Sequence, residues 1–188
     1  MHKIKLGQSK SSTIEMNEDR IFTVKLFMGK FSPMDVMLDT SFDWLMIEGR
    51  PCEECEENKY DIERDLEDGL AKMMTSQAYP IQYNSVNDSE LIVSEYETEV
   101  CLLFSACVPN FHFMLIEAQK GDLSIREPVD GIMGLARKKD YHHPHFQENE
   151  SLAETRFVEA LVEEGIISES TFSIALSWDD SLSTFDVG

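Results

Sequence analysis

Strand-like alternation of apolar and polar residues recurs along the chain and constrains its fold more than any other feature. In residues 21–28, "IFTVKLFM", Thr23 and Lys25 lie on one face. The apolar residues Phe22, Val24, Leu26 and Met28 lie on the other. Residues 79–116 contain three further apolar runs, which are joined by turns rich in Asn, Asp and Ser. A period of two is typical of a strand with one buried face. We therefore predict a mainly β fold with long paired strands.

The turns between these runs determine where polar residues are presented. Gly29 to Pro33 predicts a turn, and the short apolar run 36–38 that follows ends at Asp39. Strand character resumes at residues 44–47, so the pattern predicts a loop that begins with Asp39. Strand character returns in residues 170–178, "STFSIALSW".

Helical signals are few. Residues 52–77 are acidic, and Ile62, Leu66 and Leu70 lie four apart, which predicts a solvated segment with one helical turn before Gly69. A second helix is predicted near the end of the chain. There Ser151 and Glu154 form a capping-box pattern, apolar residues follow at helical spacing, and Gly165 provides a stop. We expect one or two short helices.

Charge and length narrow the classes of function. The chain has 188 residues, of which 42% are hydrophobic, which is enough for a substantial core. Its formal net charge of −20 argues against nucleic-acid binding. The charge suits an acidic compartment, where carboxylates are partly protonated, and it suits solubility alone equally well. The sequence has no apolar run long enough to span a membrane, and its start, "MHKIKLGQSKSS", lacks the apolar core of a signal peptide. We expect either that the protein is not exported or that its targeting segment lies outside this sequence.

The four cysteines fall into two close pairs, Cys52 with Cys55 and Cys101 with Cys107. Two disulfide-closed loops are the favoured interpretation, while free thiols and a metal site stay open. The histidine-rich "YHHPH" at residues 141–145 suggests a metal, but Pro144 and the lack of a nearby carboxylate ligand favour a surface loop. We therefore predict no metal and no cofactor.

Taken in order, five segments resemble the N-terminal lobe of a pepsin-like aspartic protease. They are "MGKFSPMDVMLDTSFDWLMI", the two-Cys loop "PCEEC", the hairpin "YPIQYNSVNDSELIVSEYETEV", "VDGIMGLAR" and "FVEALVEEGIISESTFSIAL". The resemblance covers roughly residues 20–188 and rests on the order and spacing of the segments. It implies one lobe of a bilobal β fold, with residues 1–19 as an extension or the start of the mature chain and the C-terminal lobe absent.

The resemblance also implies site residues. Asp39 would be this lobe's member of a catalytic pair of aspartates, Thr40, Ser41 and Gly134 would support its loop, and Tyr83 would cover the substrate from a flap. Residues 132–134 would pass beside the Asp39 loop. Ser41 occupies the position of the family's Gly, and Phe42 replaces a serine whose hydroxyl bonds the catalytic carboxylate, which a phenyl ring cannot do.

The resulting prediction is an aspartic endopeptidase in which water is activated between two aspartates, one of them Asp39. The alternatives are a catalytically impaired pepsin-like protein that binds peptides, and an inactive half-domain. Expected partners are a peptide or protein substrate, and either the missing C-terminal lobe or a second copy of this lobe. The resemblance implies secretion or an acidic, lysosome- or vacuole-like compartment.

Overall fold

In a computed structural model, the chain forms eleven strands and two short helices in the residues that the structure describes. These residues are 9–16, 21–30, 32–55, 59–75, 77–84, 89–120, 129–136, 156–177 and 182–188. In chain order the elements are β1 (Lys10–Met16), β2 (Phe22–Met28), β3 (Ser32–Asp39), β4 (Leu45–Glu48), α1 (Ile62–Glu67), β5 (Ala71–Met73), β6 (Tyr79–Asn84), β7 (Ser89–Cys101), β8 (Cys107–Lys120), β9 (Gly131–Gly134), α2 (Phe157–Glu163), β10 (Phe172–Ala175) and β11 (Thr184–Val187). The predicted mainly β fold with one or two short helices is confirmed.

The strands form one mixed sheet. Its order is β10-β11-β1-β2-β3-β9-β4-β8-β7-β5, with β6 paired to β7 and an additional contact between β2 and β7. The pairings of β3 with β9 and of β4 with β8 are parallel, and the others are antiparallel. The sheet therefore brings β9, from late in the chain, between β3 and β4.

The alternation seen in the sequence corresponds to two buried faces. Along β7, Val93 belongs to one apolar cluster and Tyr96 to another, and along β8 Met114 and Leu115 are divided in the same way. Neighbouring residues of a strand face opposite sides of a sheet, so the long strands β7 and β8 lie between two cores. The smaller core is the cluster that contains Val93 and Met114. It also contains Phe42 and therefore lies beneath the loop that begins at Asp39.

The predicted strands in residues 21–28 and 79–116 are confirmed, but the predicted turn at Gly29 to Pro33 is too long. Gly29 has a φ of 50°, and β3 already begins at Ser32, opposite Met28. A glycine with positive φ allows the chain to reverse within a few residues, so Pro33 lies inside the strand.

The two helices differ from prediction in their boundaries and surroundings. α1 ends before Gly69, as expected, but the acidic segment around it is not wholly solvated, because Asp65 is fully buried. α2 begins after Arg156, whose backbone is extended. The capping box predicted at Ser151 lies outside the described residues and does not begin this helix. The predicted stop at Gly165 is confirmed, since its φ is 68° and the amide of Ile166 bonds the carbonyl of Leu161 at 2.9 Å.

Three strands escaped prediction. β1 lies in the N-terminal stretch and pairs with both β2 and β11, although Ser12 and Ile14 are its only two buried side chains. β5 has three residues, and β11 has four, of which Phe185 and Val187 are buried. Such short or polar strands carry too few alternations to be recognised, and they form because neighbouring strands supply their hydrogen bonds.

Both cysteine pairs are closed as disulfides, Cys52 with Cys55 and Cys101 with Cys107. The first bridge is packed into the smaller core, next to β4. The second closes the connection between β7 and β8. The favoured interpretation of the cysteines is confirmed.

Candidate functional site

Asp39 is the last residue of β3, and an exposed turn follows it. Val36 of the same strand is fully buried, whereas Asp39 is partly exposed. The buried part of the strand thus fixes the backbone, and the carboxylate is presented at the edge of the sheet.

Ser41 holds the carboxylate of Asp39 through two hydrogen bonds. Its backbone N–H donates to Oδ1 at 2.7 Å, and its hydroxyl donates to the same oxygen at 2.6 Å. Bonds of this length to an ionised acceptor are among the stronger hydrogen bonds in proteins. A serine at this position therefore supplies the hydroxyl donor that Phe42 cannot supply.

β9 supports the Asp39 loop from both sides. Gly134 lies opposite Asp39 in the parallel register of β3, and its amide donates to the carbonyl of Trp44 at 2.8 Å. The amide of Leu135 donates to the carbonyl of Asp39, also at 2.8 Å. Residues 132–134 thus pass beside the loop.

Gly134 is the residue that permits this close contact. A Cβ atom at this position would lie 2.3 Å from the backbone nitrogen of Trp44 and 2.7 Å from the carbonyl oxygen of Phe42. Both of these atoms belong to the backbone, so neither can rotate away. Any larger residue would force β9 and the loop apart.

The side chains of Phe42 and Trp44 anchor the loop from below. Their rings make an edge-to-face contact with centroids 5.2 Å apart, and both are buried in the smaller core together with Ile81 of β6. Phe42 therefore packs, as expected for a residue that cannot donate a hydrogen bond. The loop and the β6–β7 hairpin share one core.

A residue that sequence reasoning missed, Asp130, connects β3 to β9. Its Oδ2 accepts a bond from the amide of Asp35 at 2.7 Å, and its own amide donates to the carbonyl of Asp35 at 2.7 Å. Asp130 is buried and precedes the first residue of β9. Its position just before Gly131 in "VDGIMG" is the sequence signal that could have identified it.

Thr40 is exposed and borders a large cavity. The cavity has a volume of about 820 Å³ and is lined by Thr40, Gly134, Leu135, Arg156, Val158 and Phe172, among others. Arg156 pairs with Glu159 of α2 at its edge. The space therefore opens beside the Asp39 loop, between α2 and β10.

Tyr83 lies near the end of β6, in the hairpin that the sequence identified as a flap. The structure describes its backbone but not its side chain, and residues 85–88 of the hairpin tip lie outside the described part. Its predicted contact with substrate stays a prediction.

Metal ligands are not assembled around Asp39 in the described residues. Elsewhere in the described residues, Glu99, Cys101 and Cys107 lie close enough together to suggest a metal site. The two cysteines form a disulfide, however, and cannot act as thiolate ligands. The histidines of residues 141–145 lie outside the described residues. None of the helices that the structure describes is long and apolar enough to cross a membrane.

Comparison with known protein families identifies the family of the chain. The profile of the family described as "Eukaryotic aspartyl protease" matches residues 32–188, which include the Asp39 loop, the hairpin, β9 and α2. No curated protein matches the chain. The match covers most of the sequence and agrees with a mainly β lobe in which β9 closes the Asp39 loop. The chain belongs to the eukaryotic aspartyl protease family.

Proposed function

We propose that this chain is half of an aspartic endopeptidase and that Asp39 is its catalytic carboxylate. The observation that carries the proposal is the setting of Asp39. Its carboxylate is held at 2.6 and 2.7 Å by Ser41, in a loop hydrogen-bonded to β9. Such a loop fixes the carboxylate while leaving it partly exposed to solvent and substrate.

The reaction requires a second aspartate close to Asp39. Two carboxyl groups at hydrogen-bond distance share one proton, because both cannot ionise together. The ionised member accepts a proton from water as that water attacks the peptide carbonyl, and the protonated member donates a proton to the carbonyl oxygen. The bond that this reaction cleaves is a peptide bond of the substrate.

Apart from the Asp-Thr-Ser loop of Asp39, this sequence contains no Asp-Thr-Gly or Asp-Ser-Gly motif, and we propose that a further lobe or a second copy of the chain supplies the other aspartate. An exposed apolar surface at β10, whose Phe172 lines the same cavity as Thr40, supports this inference. Four large apolar side chains in and after β10 are exposed, namely Phe172, Ile174, Leu176 and Leu182. A second lobe, or a second copy of this chain, would cover them and bring its own aspartate to the site.

We assign the activity to an acidic environment, such as a lysosome-like compartment or the exterior of a cell. The net charge of −20 opposes the approach of another acidic lobe at neutral pH. Protonation of carboxylates in acid relieves that repulsion and also suits a pair of aspartates that must share a proton.

Cleavage of peptides at about pH 4 by the paired form of the chain, with its partner lobe or second copy, tests the proposal. We expect Asp39→Asn to lower the rate by about 10²- to 10⁴-fold, because the amide cannot accept the proton of water. Asp35→Asn is the matched control, since Asp35 lies on the same strand and pairs with Lys25 at 3.3 Å on the surface. An inhibitor of aspartic proteases should abolish the activity, and equal rates for the Asp39→Asn variant and the wild type would contradict the assignment.

A second candidate is a peptide-binding protein without turnover, which the buried, apolar Phe42 favours. The fully paired form of the protein, with its partner lobe or second copy, would then bind peptide or inhibitor at about pH 4 without releasing products. Asp39→Asn would leave that binding unchanged. Hydrolysis by the wild type excludes this alternative.

A further inference from the structure

Glu95 is a carboxyl group at a position that the strand pattern assigns to the core. Leu91, Val93 and Glu95 alternate along β7 on one face, and the first two are fully buried in the smaller core. Glu95 is only 4% exposed. An acidic side chain here must be paired or neutral to be tolerated.

One oxygen of Glu95 is satisfied, and the other has no partner among the described residues. Oε1 accepts a hydrogen bond from the hydroxyl of Tyr79, the first residue of β6. Oε2 is buried with no hydrogen-bond partner in the described part of the chain. The carboxyl group therefore ties β6 to β7 at the base of the hairpin while holding one unsatisfied oxygen.

The chain before β6 is also attached at Glu95. The amide of Glu95 donates to the hydroxyl oxygen of Thr75 at 3.0 Å, and its carbonyl accepts from the amide of Met74 at 2.9 Å. These two bonds do not depend on the charge of the carboxyl group. The contact with Tyr79 is thus the charge-sensitive part of the attachment.

Charged groups around Glu95 do not cancel the cost of burying its charge. His112 of β8 offsets this cost when it is protonated, but its Nε2 lies 3.6 Å from Glu97, which also faces Lys72 of β5 at 3.5 Å. Burial raises the pKa of Glu95, and the bond from Tyr79 and the charge of His112 oppose this effect without overcoming it. Burial likewise raises the pKa of Tyr79, which therefore stays a donor.

We propose that the buried carboxyl group of Glu95, at its contact with Tyr79, is an acid-dependent anchor that fastens β6 to the sheet at low pH and releases it as pH rises. A group whose pKa is raised by folding stabilises the folded contact fully below its unfolded value and loses that contribution as pH increases through the folded value. In acid Glu95 is neutral and its burial costs little. At higher pH the buried carboxylate favours an open hairpin in which it reaches water.

The anchor itself is independent of the catalytic assignment. Only its consequence for catalysis rests on the proposed function, because β6 carries Tyr83, the predicted cover of the substrate.

Amide hydrogen exchange of the full chain, followed by NMR from about pH 4 to about pH 7.5, tests the anchor. We expect the protection of β6 amides, corrected for intrinsic exchange, to fall as Glu95 ionises, while amides of β9 keep theirs. Each unit by which the closed-state pKa exceeds the open-state pKa lowers protection about tenfold. The carbon-13 signal of the Glu95 carboxyl group should titrate over the same pH range.

Variants separate this anchor from general effects of charge. Glu95→Gln should make β6 protection independent of pH, whereas Glu90→Gln, on the same strand but exposed and paired with Lys120 at 3.0 Å, should leave the fall intact. Tyr79→Phe removes a donor to the carboxylate. It should lower the protection of β6 even in acid, and it should move the pH at which Glu95 titrates, and protection falls, to a higher value. Constant protection in the wild type, an unchanged fall in Glu95→Gln, or a carboxyl titration that does not track protection would each overturn the proposal.

Discussion

Ser41 orients Asp39 through both its backbone and its side chain. Strand alternation predicted an acid at the end of a strand, because alternation and its interruption are local features, whereas a supporting role for Ser41 was implied by the family resemblance. That the hydroxyl of Ser41 contacts Asp39 at 2.6 Å depends on how the turn closes against β9, which no local pattern contains. Asp130 and Glu95 were missed for the same reason, since their roles come from partners distant in sequence.

Removing the hydroxyl of Ser41 should weaken catalysis without abolishing it. In Ser41→Ala the amide bond to Oδ1 at 2.7 Å is retained and the bond at 2.6 Å is lost. Because Ser41 is exposed and water can partly replace the donor, we expect kcat/KM to fall by about tenfold. Ser11→Ala, an exposed serine of β1, is the control. A pH–rate profile displaced only in Ser41→Ala would support a positioning role, and identical profiles would contradict it.

Gly134→Ala should destabilise the lobe because the added Cβ would meet backbone at 2.3 Å. We expect a loss of about 2–4 kcal/mol, from overpacking against atoms that cannot rotate. Gly69→Ala is the comparison, since Gly69 has a φ of 70° but nothing within 4 Å of its missing Cβ. Its cost should be about 1 kcal/mol, from backbone strain alone. Denaturant unfolding measures both, and a smaller loss at Gly134 than at Gly69 would refute the close-contact explanation.

At the scale of elements, α1 is attached to the sheet by a buried polar network that its acidic sequence conceals. The hydroxyl of Tyr60 donates to Oδ2 of Asp65 at 2.6 Å, and Nε of Arg64 donates to Oδ1 at 3.1 Å. Burial raises the pKa of Tyr60, so its hydroxyl stays a donor. Periodicity could predict the helix, but not which of its acidic residues turns inwards.

Asp65→Ala should therefore cost about 2–4 kcal/mol of unfolding free energy, because it leaves the Tyr60 hydroxyl buried without its acceptor. Asp68→Ala is the matched control one residue beyond the helix. Its partner Lys30 is 3.8 Å away and both side chains are about half exposed or more, so its cost should stay below about 0.5 kcal/mol. Thermal or denaturant unfolding compares them, and equal losses would show that the network is not what holds α1.

The whole molecule exposes an apolar edge at one end of its sheet order. β10 is the terminal strand there, and Leu176, just beyond it, is 54% exposed. The sequence predicted a missing partner from the absence of a second aspartate loop. Which residues would meet that partner could not be predicted, because the exposure of β10 depends on the pairing of β1 with β11.

Self-association should follow this edge and depend on pH. We expect sedimentation velocity to detect concentration-dependent dimers at about pH 4 and monomers at about pH 7, since the charge of −20 is reduced in acid. Leu176→Asp should weaken association. Met73→Asp, which changes a half-exposed residue of β5 at the other end of the sheet order, should not. Monomers at every pH and concentration would contradict association through this edge.

The insertion of β9 between β3 and β4 also has a consequence for synthesis of the chain. Asp35 and Asp130, which clamp these strands together, are separated by 95 residues. Contacts of such long range form only after the cost of closing the intervening loop has been met, and they slow folding. During translation the Asp39 loop therefore lacks the hydrogen bonds from β9 until β9 has left the ribosome.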